Sequence, residues 1–372
     1  MTAIDCGHFF EHVVNVYYFN YMNKSKLTLI IDGNWLLMSR LPILNGRYAD
    51  DETLMKEVKL LMVKSINIVL HTFPMIDNIM FVADGGSWRR DISVPEYMKT
   101  ADIEYKGNRV KGDEYNWDLI FTEFNNFVTE LTDAGISAFR EGGIEGDDWC
   151  WYWSRKLNSE GTNVIIWTKD RDITQLVSSD QNGCFTVIWN KNNGVFMTDK
   201  EDLTNFLLNP VYQENESILN SIISHATKKN VISPKKVQID KIIRGDKGDN
   251  VMPIITKHAN NGDKVFRVTE KLLPNDIDIY NINDVRIWVD EVMSLKSYKG
   301  KVIEPIEQIL DHFEYNRKMV VLDKSSYPDY ILDTFHKYDG WTKTHNLSTN
   351  ISNVENIIMA QTNNLTNILD SI

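Results

Sequence analysis

The chain has 372 residues, 42% of them hydrophobic and 25% charged, with only 9 Pro and 19 Gly. That composition excludes wholesale disorder and fibrous or low-complexity classes, and the length suits two folded units with some tail left over. The formal charge of −12, from 52 acidic against 40 basic side chains, argues against a nucleic-acid-binding surface unless many carboxylates are gathered around divalent cations, which reverse the local sign.

Residues 1–23 read as an N-terminal extension. The apolar stretch Phe9 to Met22 is broken by Glu11 and His12 and is shorter than a membrane span. It also lacks the basic flank and cleavage site of a signal peptide. Cys6, Cys150 and Cys184 form no CxxC pair, so neither a disulfide framework nor a thiolate zinc site is indicated. A cytoplasmic protein with no membrane association is expected. His8-Phe9-Phe10-Glu11-His12 spells an H-x-x-E-H zinc-protease string, but it stands outside the patterned part of the chain with no supporting helical domain.

From residue 24 to 204 the pattern alternates. An apolar run, Leu27 to Ile31, ends in Asp32-Gly33, and a helical stretch follows over about Asp51 to His71. A second run, Asn78 to Ala83, ends in Asp84-Gly85-Gly86. A polar, basic and aromatic stretch then covers about 87–117, followed by a helix to about 134. A third run, Val164 to Thr168, ends in Lys169-Asp170-Arg171-Asp172. Phe185 to Trp189 and Gly194 to Thr198 read as a hairpin around Asn192-Asn193-Gly194.

Unbroken apolar strands alternating with helices predict an α/β fold, a mostly parallel sheet with helices on both faces. Ligands bind such sheets just beyond the carboxyl ends of the strands, and three strands each place an aspartate there. From about 205 to 335 the strands stop and the chain reads as mainly helical. The segment 225–247 is locally basic, with Lys228, Lys229, Lys235, Lys236, Lys241, Arg244 and Lys247. Residues 336–372 form a tail whose last part, Asn350 to Ile372, has apolar positions at helical spacing. It is expected to pack on its own domain, docking into a partner's groove being the alternative.

Nine carboxylates stand out: Asp32, Asp84, Glu145, Asp147, Asp148, Asp170, Asp172, Asp246 and Asp249. Singly, an Asp at a strand end is a turn residue or helix N-cap, and Asp147-Asp148 opening a helix complements its dipole. Nine that converge would repel one another unless divalent cations neutralised them. Oxygen-only donors suit hard ions such as Mg²⁺ or Mn²⁺, and two such ions ~4 Å apart can clamp both the attacking water and the leaving oxygen of a phosphodiester. Setting these nine aside leaves the rest of the chain close to charge balance. Between Asp84 and Asp113 lie Arg89, Arg90, Lys99, Lys106, Arg109 and Lys111, with Trp88, Tyr97 and Tyr105 among them. Cations beside aromatics suit single-stranded nucleic acid, although interspersed acids also fit an ordinary solvated loop. No phosphate-loop or dinucleotide glycine motif occurs, which excludes the common ATPase and dehydrogenase classes.

Taken in order, five motifs resemble the 5′-nuclease family of flap endonucleases and polymerase-associated 5′→3′ exonucleases. They are Asp32-Gly33-Asn34, Asp84-Gly85, Glu145-Gly146-Asp147-Asp148, Lys169-Asp170-Arg171-Asp172-Ile173-Thr174-Gln175-Leu176 and Gly245-Asp246-Lys247-Gly248-Asp249-Asn250. Trp88-Arg89-Arg90-Asp91, Lys241 to Lys247 and Glu314-Tyr315-Asn316-Arg317 are similar to the ribonuclease H branch of T-even bacteriophages within that family. The resemblance spans about residues 27–323.

It implies a metal-dependent 5′→3′ exonuclease and flap endonuclease that removes RNA primers in DNA replication, in a host cytoplasm if phage-encoded. Asp32, Asp84, Glu145 and Asp147 would surround one Mg²⁺, and Asp147, Asp170, Asp172 and Asp249 a second, with Asp148 and Asp246 in support. Tyr105-Lys106-Gly107-Asn108-Arg109 is similar to the motif in the arch over the active site (about 87–117). Tyr105 would stack on a base, while Lys106, Arg109 and Arg90 would supply catalytic cations. The segment from Gly245 would be a helix–three-turn–helix gripping duplex, able to hold a monovalent cation such as K⁺. Arg89, Lys99, Lys235, Lys236, Lys241, Arg244, Lys247 and Lys257 would contact DNA. Implied partners are DNA and RNA–DNA hybrids with flaps, nicks or gaps, together with a single-stranded-DNA-binding protein or sliding clamp, and the protein would act as a monomer. A PIN-type endoribonuclease, or a silent DNA-structure-binding scaffold, are the other readings of the acids.

Overall fold

The computed structural model describes residues 26–48, 50–73, 76–98, 104–109, 112–179, 184–190, 195–199, 231–259, 262, 264–266, 268–341, 350–356 and 358–359. The extension 1–23 with its H-x-x-E-H string, and Lys99, Lys111, Lys228 and Lys229, lie outside these.

The core alternates β1 (Leu27–Asp32), α1 (Gly33–Leu44), α2 (Asp51–Thr72), β2 (Asn78–Val82), α3 (Trp117–Asp133), β3 (Ser137–Phe139), α4 (Gly146–Ser159) and β4 (Asn163–Trp167). The short β5 (Ser178–Ser179) follows, then β6 (Phe185–Asn190), β7 (Val195–Asp199) and β8 (Val231–Ile232). The sheet order is β3-β2-β1-β4-β6-β7-β8, with β5 on β6. The pairs β3-β2, β2-β1, β1-β4 and β4-β6 are parallel, and β6 with β7 forms the expected antiparallel hairpin. Chain order reverses between β1 and β4, which makes their carboxyl ends the switch point where doubly wound folds bind ligands.

The pleat explains why these strands are apolar throughout. Leu29 and Ile31, Ile79 and Phe81, and Ile165 and Trp167 point into one core with α1, α2 and α3. Their neighbours Ile30, Met80, Val82, Val164 and Ile166 point into a second core beneath α4. Both faces are buried, so hydrophobic alternation disappears.

The remaining helices are α5 (Pro234–Arg244), α6 (Ile282–Ser294), α7 (Ile306–Val320) and α8 (Asp329–His336). A third core joins α5, α6 and α7, and Met98 and Tyr105 from the 87–117 stretch enter it. Residues 322–335 turn back onto the α4 face of the sheet. Ile351, Val354 and Ile358 are buried in the core of the opposite face, so this part of the tail packs on its own chain.

Two expectations differ from the structure. The chain beyond 205 is not free of strands, because β8 joins the sheet and β9 (Thr256–His258) pairs with β10 (Lys264–Phe266). Among the described residues, that second ladder stands after Gly245 where a second helix was expected. Pro253 lacks an amide donor and pushes Met252 toward extended backbone, and the β-branched Val251, Ile254, Ile255 and Thr256 around it favour strand. Among the described residues no helix is long and apolar enough to cross a membrane.

Candidate metal centre and nucleic-acid cleft

Each core acid is delivered by a chain break the sheet requires. Asp32 ends β1 and caps α1, its Oδ1 accepting from the Trp35 amide at 2.9 Å and its Oδ2 from Thr168 Oγ1 at 2.7 Å. The α1 helix and its capping by Asp32 were not read from the sequence; Pro42 inside it obscured the helical pattern. Asp84 follows β2, and its Oδ1 accepts from the Gly146 amide at 2.6 Å. Its own amide donates to Asn34 Oδ1 at 2.8 Å, which gives the asparagine of Asp32-Gly33-Asn34 its task. Gly85 is required by close approach: a Cβ there would lie 1.8 Å from the Glu141 carbonyl oxygen. Glu145, Asp147 and Asp148 open α4. Beyond β4, Asp170 Oδ1 accepts from the Asp172 amide at 2.8 Å, and Thr168 Oγ1 accepts from the Asp170 amide at 3.0 Å.

Asp32, Asp84, Glu145, Asp147 and Asp170 line one open cleft of about 1270 Å³, together with Arg90, Lys106, Arg109, Lys169 and Arg171. On its far side α1 and α3 add Trp35, Met38, Trp117 and Phe121. Asp172, Asp246 and Asp249 gather separately, each offering an oxygen within 4.8 Å of the others. Eight of the nine acids thus fall into a sheet-borne set and a second set completed by the 246–249 loop, with Asp148 standing apart.

The sheet-borne acids carry charge at a cost. Burial pushes Asp32 up to about 7, with Asp84 and Asp170 adding repulsion. Burial raises Asp84 too, and Asp147 well above the carboxylate range, with Asp170 next in the latter. Asp172 is raised to about 7 by burial, against the pull of Lys241. Glu145 and Asp246 go the other way. Burial opposes their ionisation, but Arg89 and Lys106 hold Glu145 below the usual range, and Lys241 does the same for Asp246. An oxygen-only donor set whose members resist ionisation until a cation arrives fits a hard divalent ion.

Asp148 differs from its neighbours. It is fully buried, its Oδ1 accepting from Arg89 Nη2 at 2.8 Å and its Oδ2 from Trp88 Nε1 at 3.1 Å and the Glu145 amide at 3.1 Å. Its oxygens are spent on the protein, so it braces α4 from behind the cleft. Arg89 is the correction that goes with it. At 3% exposed, it bonds Glu145 at 2.7 Å and the Met319 carbonyl at 2.9 Å, and no DNA phosphate can reach it in this arrangement. Trp88-Arg89 is a buried charge brace, while the next residue, Arg90, is exposed and lines the cleft.

Residues 104–109 lie against the 246–250 loop. Lys106 Nζ pairs with Glu145, and Arg109 Nη2 with Asp249 Oδ1 at 2.6 Å. Tyr105 is 6% exposed and packs in the helical core, its hydroxyl 3.2 Å from Asp249 Oδ2 and 3.3 Å from Glu145 Oε2. That corrects the stacking role expected of Tyr105, because its ring has no free face. Lys241, expected on DNA, instead bridges Asp172 and Asp246 with its side chain 13% exposed. Among the other expected DNA contacts, Lys235 pairs with Asp276 and Arg244 with Asp240, while Lys257 lies over the Tyr298 ring at 4.0 Å. Lys236 and Lys247 are exposed.

The geometry defines a doubly wound α/β protein with an acid-lined cleft at its switch point and a helical part that completes the acid set. Residues 28–206 match the family model of the 5′-3′ exonuclease, N-terminal resolvase-like domain. Among solved structures, the T5 D15 protein co-crystallised with metal ions aligns with a TM-score of 0.50 and 16% identity, covering 84% of this chain and 98% of that one. The bacteriophage T5 D15 flap endonuclease, in a pseudo-enzyme–product complex with DNA and metal ions, aligns at 0.51 and 16% with the same coverage. T5 5′-exonuclease with bound zinc aligns at 0.51 and 17%, again covering 84% and 98%. A search of curated proteins found no match. Residues 28–206, just under half of the chain, thus resemble the N-terminal domain of the 5′-3′ exonucleases, and the fold is shared with the T5 enzyme.

Proposed function

We propose that the protein is a metal-dependent 5′→3′ exonuclease and flap endonuclease that acts on 5′ flaps, nicked duplex and RNA–DNA hybrids, and that it removes RNA primers during DNA replication. The observation that carries this reading is the convergence of Asp32, Asp84, Glu145, Asp147 and Asp170 on one open cleft with Lys106 and Arg109 at its edge. The T5 enzyme of the same fold is described with both DNA and metal ions, which supports the substrate class.

Asp32, Asp84, Glu145 and Asp147 would hold one divalent ion, and Asp170, Asp172, Asp246 and Asp249 a second. Mg²⁺ is the natural occupant, with Mn²⁺ as substitute. Bound there, such ions activate water and neutralise charge on a phosphodiester. The chain's own contribution is positional. Trp35, Thr168 and Gly146 hold the Asp32 and Asp84 carboxylates in fixed orientation. Lys106 and Arg109 place fixed cations where phosphate charge builds up, and Arg90, which lines the same cleft, adds a third. Exposed Lys236 and Lys247 are left to grip the duplex backbone without reading its sequence.

The test is cleavage of a 5′-labelled flap duplex and a nicked RNA–DNA hybrid in Mg²⁺, comparing wild type with Asp84→Asn. Release of 5′ fragments by wild type and their loss in the variant is the expected result. Internal cutting of plain single-stranded RNA, with both duplex substrates ignored, would replace this reading with the PIN-type one. Flap binding without any cleavage would replace it with the scaffold.

A further inference from the structure

Residues 104–109 and 246–250 are clasped through backbone carbonyls, which accept from one amide and three side chains. The Lys106 amide donates to the Asp249 carbonyl at 3.0 Å, and Asn108 Nδ2 donates to the Lys247 carbonyl at 2.8 Å. Asn250 Nδ2 donates to the Glu104 carbonyl at 3.0 Å, and Arg109 Nε reaches the Gly248 carbonyl at 3.4 Å. Among the described residues, the non-glycine residues with positive φ are Lys106 at 57° and Asn250 at 60°, and both sit in this clasp. Left-handed backbone is disfavoured for residues that carry a Cβ, least so for Asn, and it persists where its surroundings over-determine it. Two such residues on facing segments, tied by these bonds, mark a contact held against local preference.

We infer that Asn250 is a positioning residue for the Lys106 and Arg109 cations, an inference that rests on the nuclease reading of the cleft. Its left-handed turn reverses the chain directly after Asp249, which brings Nδ2 to the Glu104 carbonyl and fixes where the 104–109 segment begins. The Asp249 carbonyl then fixes Lys106 in its own left-handed turn, and from there the Lys106 and Arg109 side chains reach Glu145 and Asp249. Asn250 is one residue from Asp249 and four from Asp246, and its Nδ2 ties the start of the cation-bearing segment to the acid loop. One clasp therefore sets a metal-side acid and two substrate-side cations together, across the joint between the helical part and the α/β core.

Two substitutions separate backbone from side chain. Asn250→Gly keeps the left-handed turn and removes the donor, and Asn250→Asp keeps the side-chain shape but turns an acceptor toward the Glu104 carbonyl. In both, kcat on the flap substrate should fall about 10- to 100-fold, the range for small misplacement of a reacting group, with KM changed less than about twofold. The Lys106 amide should exchange hydrogen faster in both while thermal stability stays near wild type. In a Lys106→Ala background, Asn250→Gly should cost less than it does with Lys106 in place, because residues acting through one another are not additive. Wild-type kcat in Asn250→Gly, an unchanged Lys106 exchange rate, or a full additional loss in the Lys106→Ala background would each overturn the inference. If wild type itself cleaves neither substrate, the nuclease reading fails and amide exchange alone decides whether the clasp depends on Asn250.

Discussion

The two acid sets are neutralised in different ways. Asp32, Asp84 and Asp147, carried by strand ends and the start of α4, are held mostly by neutral donors and neighbouring acids, and burial raises all three. Asp246 and Asp249, carried by a loop, already have Lys241 and Arg109 on them. Apart from Glu145, which has Arg89 and Lys106, the first set is unsatisfied until a cation comes from outside, whereas Asp246 and Asp249 bring their cations along. The rigid sheet tolerates the unsatisfied set because Asp32 and Asp84 are fixed by Trp35, Thr168 and Gly146, and a loop without such support would splay.

The largest effect should fall on the sheet-borne set. Asp147→Asn is expected to lower flap cleavage by about 1000-fold or more, equivalent to ~4 kcal/mol of lost charge stabilisation. Asp246→Asn should lower it only about 10- to 100-fold, since Lys241 can still pair with Asp172. Equal losses, measured as single-turnover rates in Mg²⁺, would erase the distinction.

Next comes the brace behind the cleft. Arg89 neutralises Asp148, fully buried behind the cleft, so Arg89→Met leaves that carboxylate without its charged partner, while Glu145 keeps Lys106. Losing one partner of such a pair costs about 3–5 kcal/mol. Urea unfolding should register that loss directly, and a change below ~1 kcal/mol would mean Asp148 finds another donor.

Much of this was legible before any coordinates. The three strand-end acids follow from where apolar runs stop, and α2 spans Asp51–Thr72 as its spacing predicts. What was hidden is direction. Arg89 and Arg90 are adjacent and chemically identical, yet the turn at Trp88–Asp91 sends one inward and the other into the cleft. Nothing in a one-residue step of sequence distinguishes them. Lys241 read as a DNA contact because its neighbours are basic, but α5 packs its last turn against the core and delivers that lysine to Asp172. Asn250 and Asn108 stand inside two of the motifs but carry no charge, and only the facing of two distant segments shows what they bond.

The pH response should sharpen the contrast without any mutation. Asp32 and Asp172 keep a proton in the folded protein from the ordinary 3.8 up to about 7, a window in which the unfolded chain has released it. The folded state then binds more protons, so metal-free stability declines as pH rises through that window. Glu145 and Asp246, held below the usual range, act only at its acid end. Calorimetry without metal should show Tm falling between about pH 4 and pH 7, with Mg²⁺ restoring it most at the upper end. A metal-free Tm that rises across the same range would show that the sheet-borne acids are already neutralised.

The smallest effect concerns the cation that the second set brings with it. Burial works against the Lys241 charge, but Asp172 and Asp246 hold its pKa at about 12, so it stays an ammonium at any working pH. An incoming divalent ion must share or displace it. Lys241→Met removes that competitor without shortening the side chain much, and Mn²⁺ should bind this cluster roughly five- to tenfold tighter, equivalent to about 1 kcal/mol. Titration calorimetry on the substrate-free protein reads this independently of catalysis. The gain should vanish in Asp246→Asn, where the cluster has lost one of its acids. If Mn²⁺ instead binds more weakly in Lys241→Met, the lysine organises the acids rather than competing for them, and the two sets are alike in needing an outside cation.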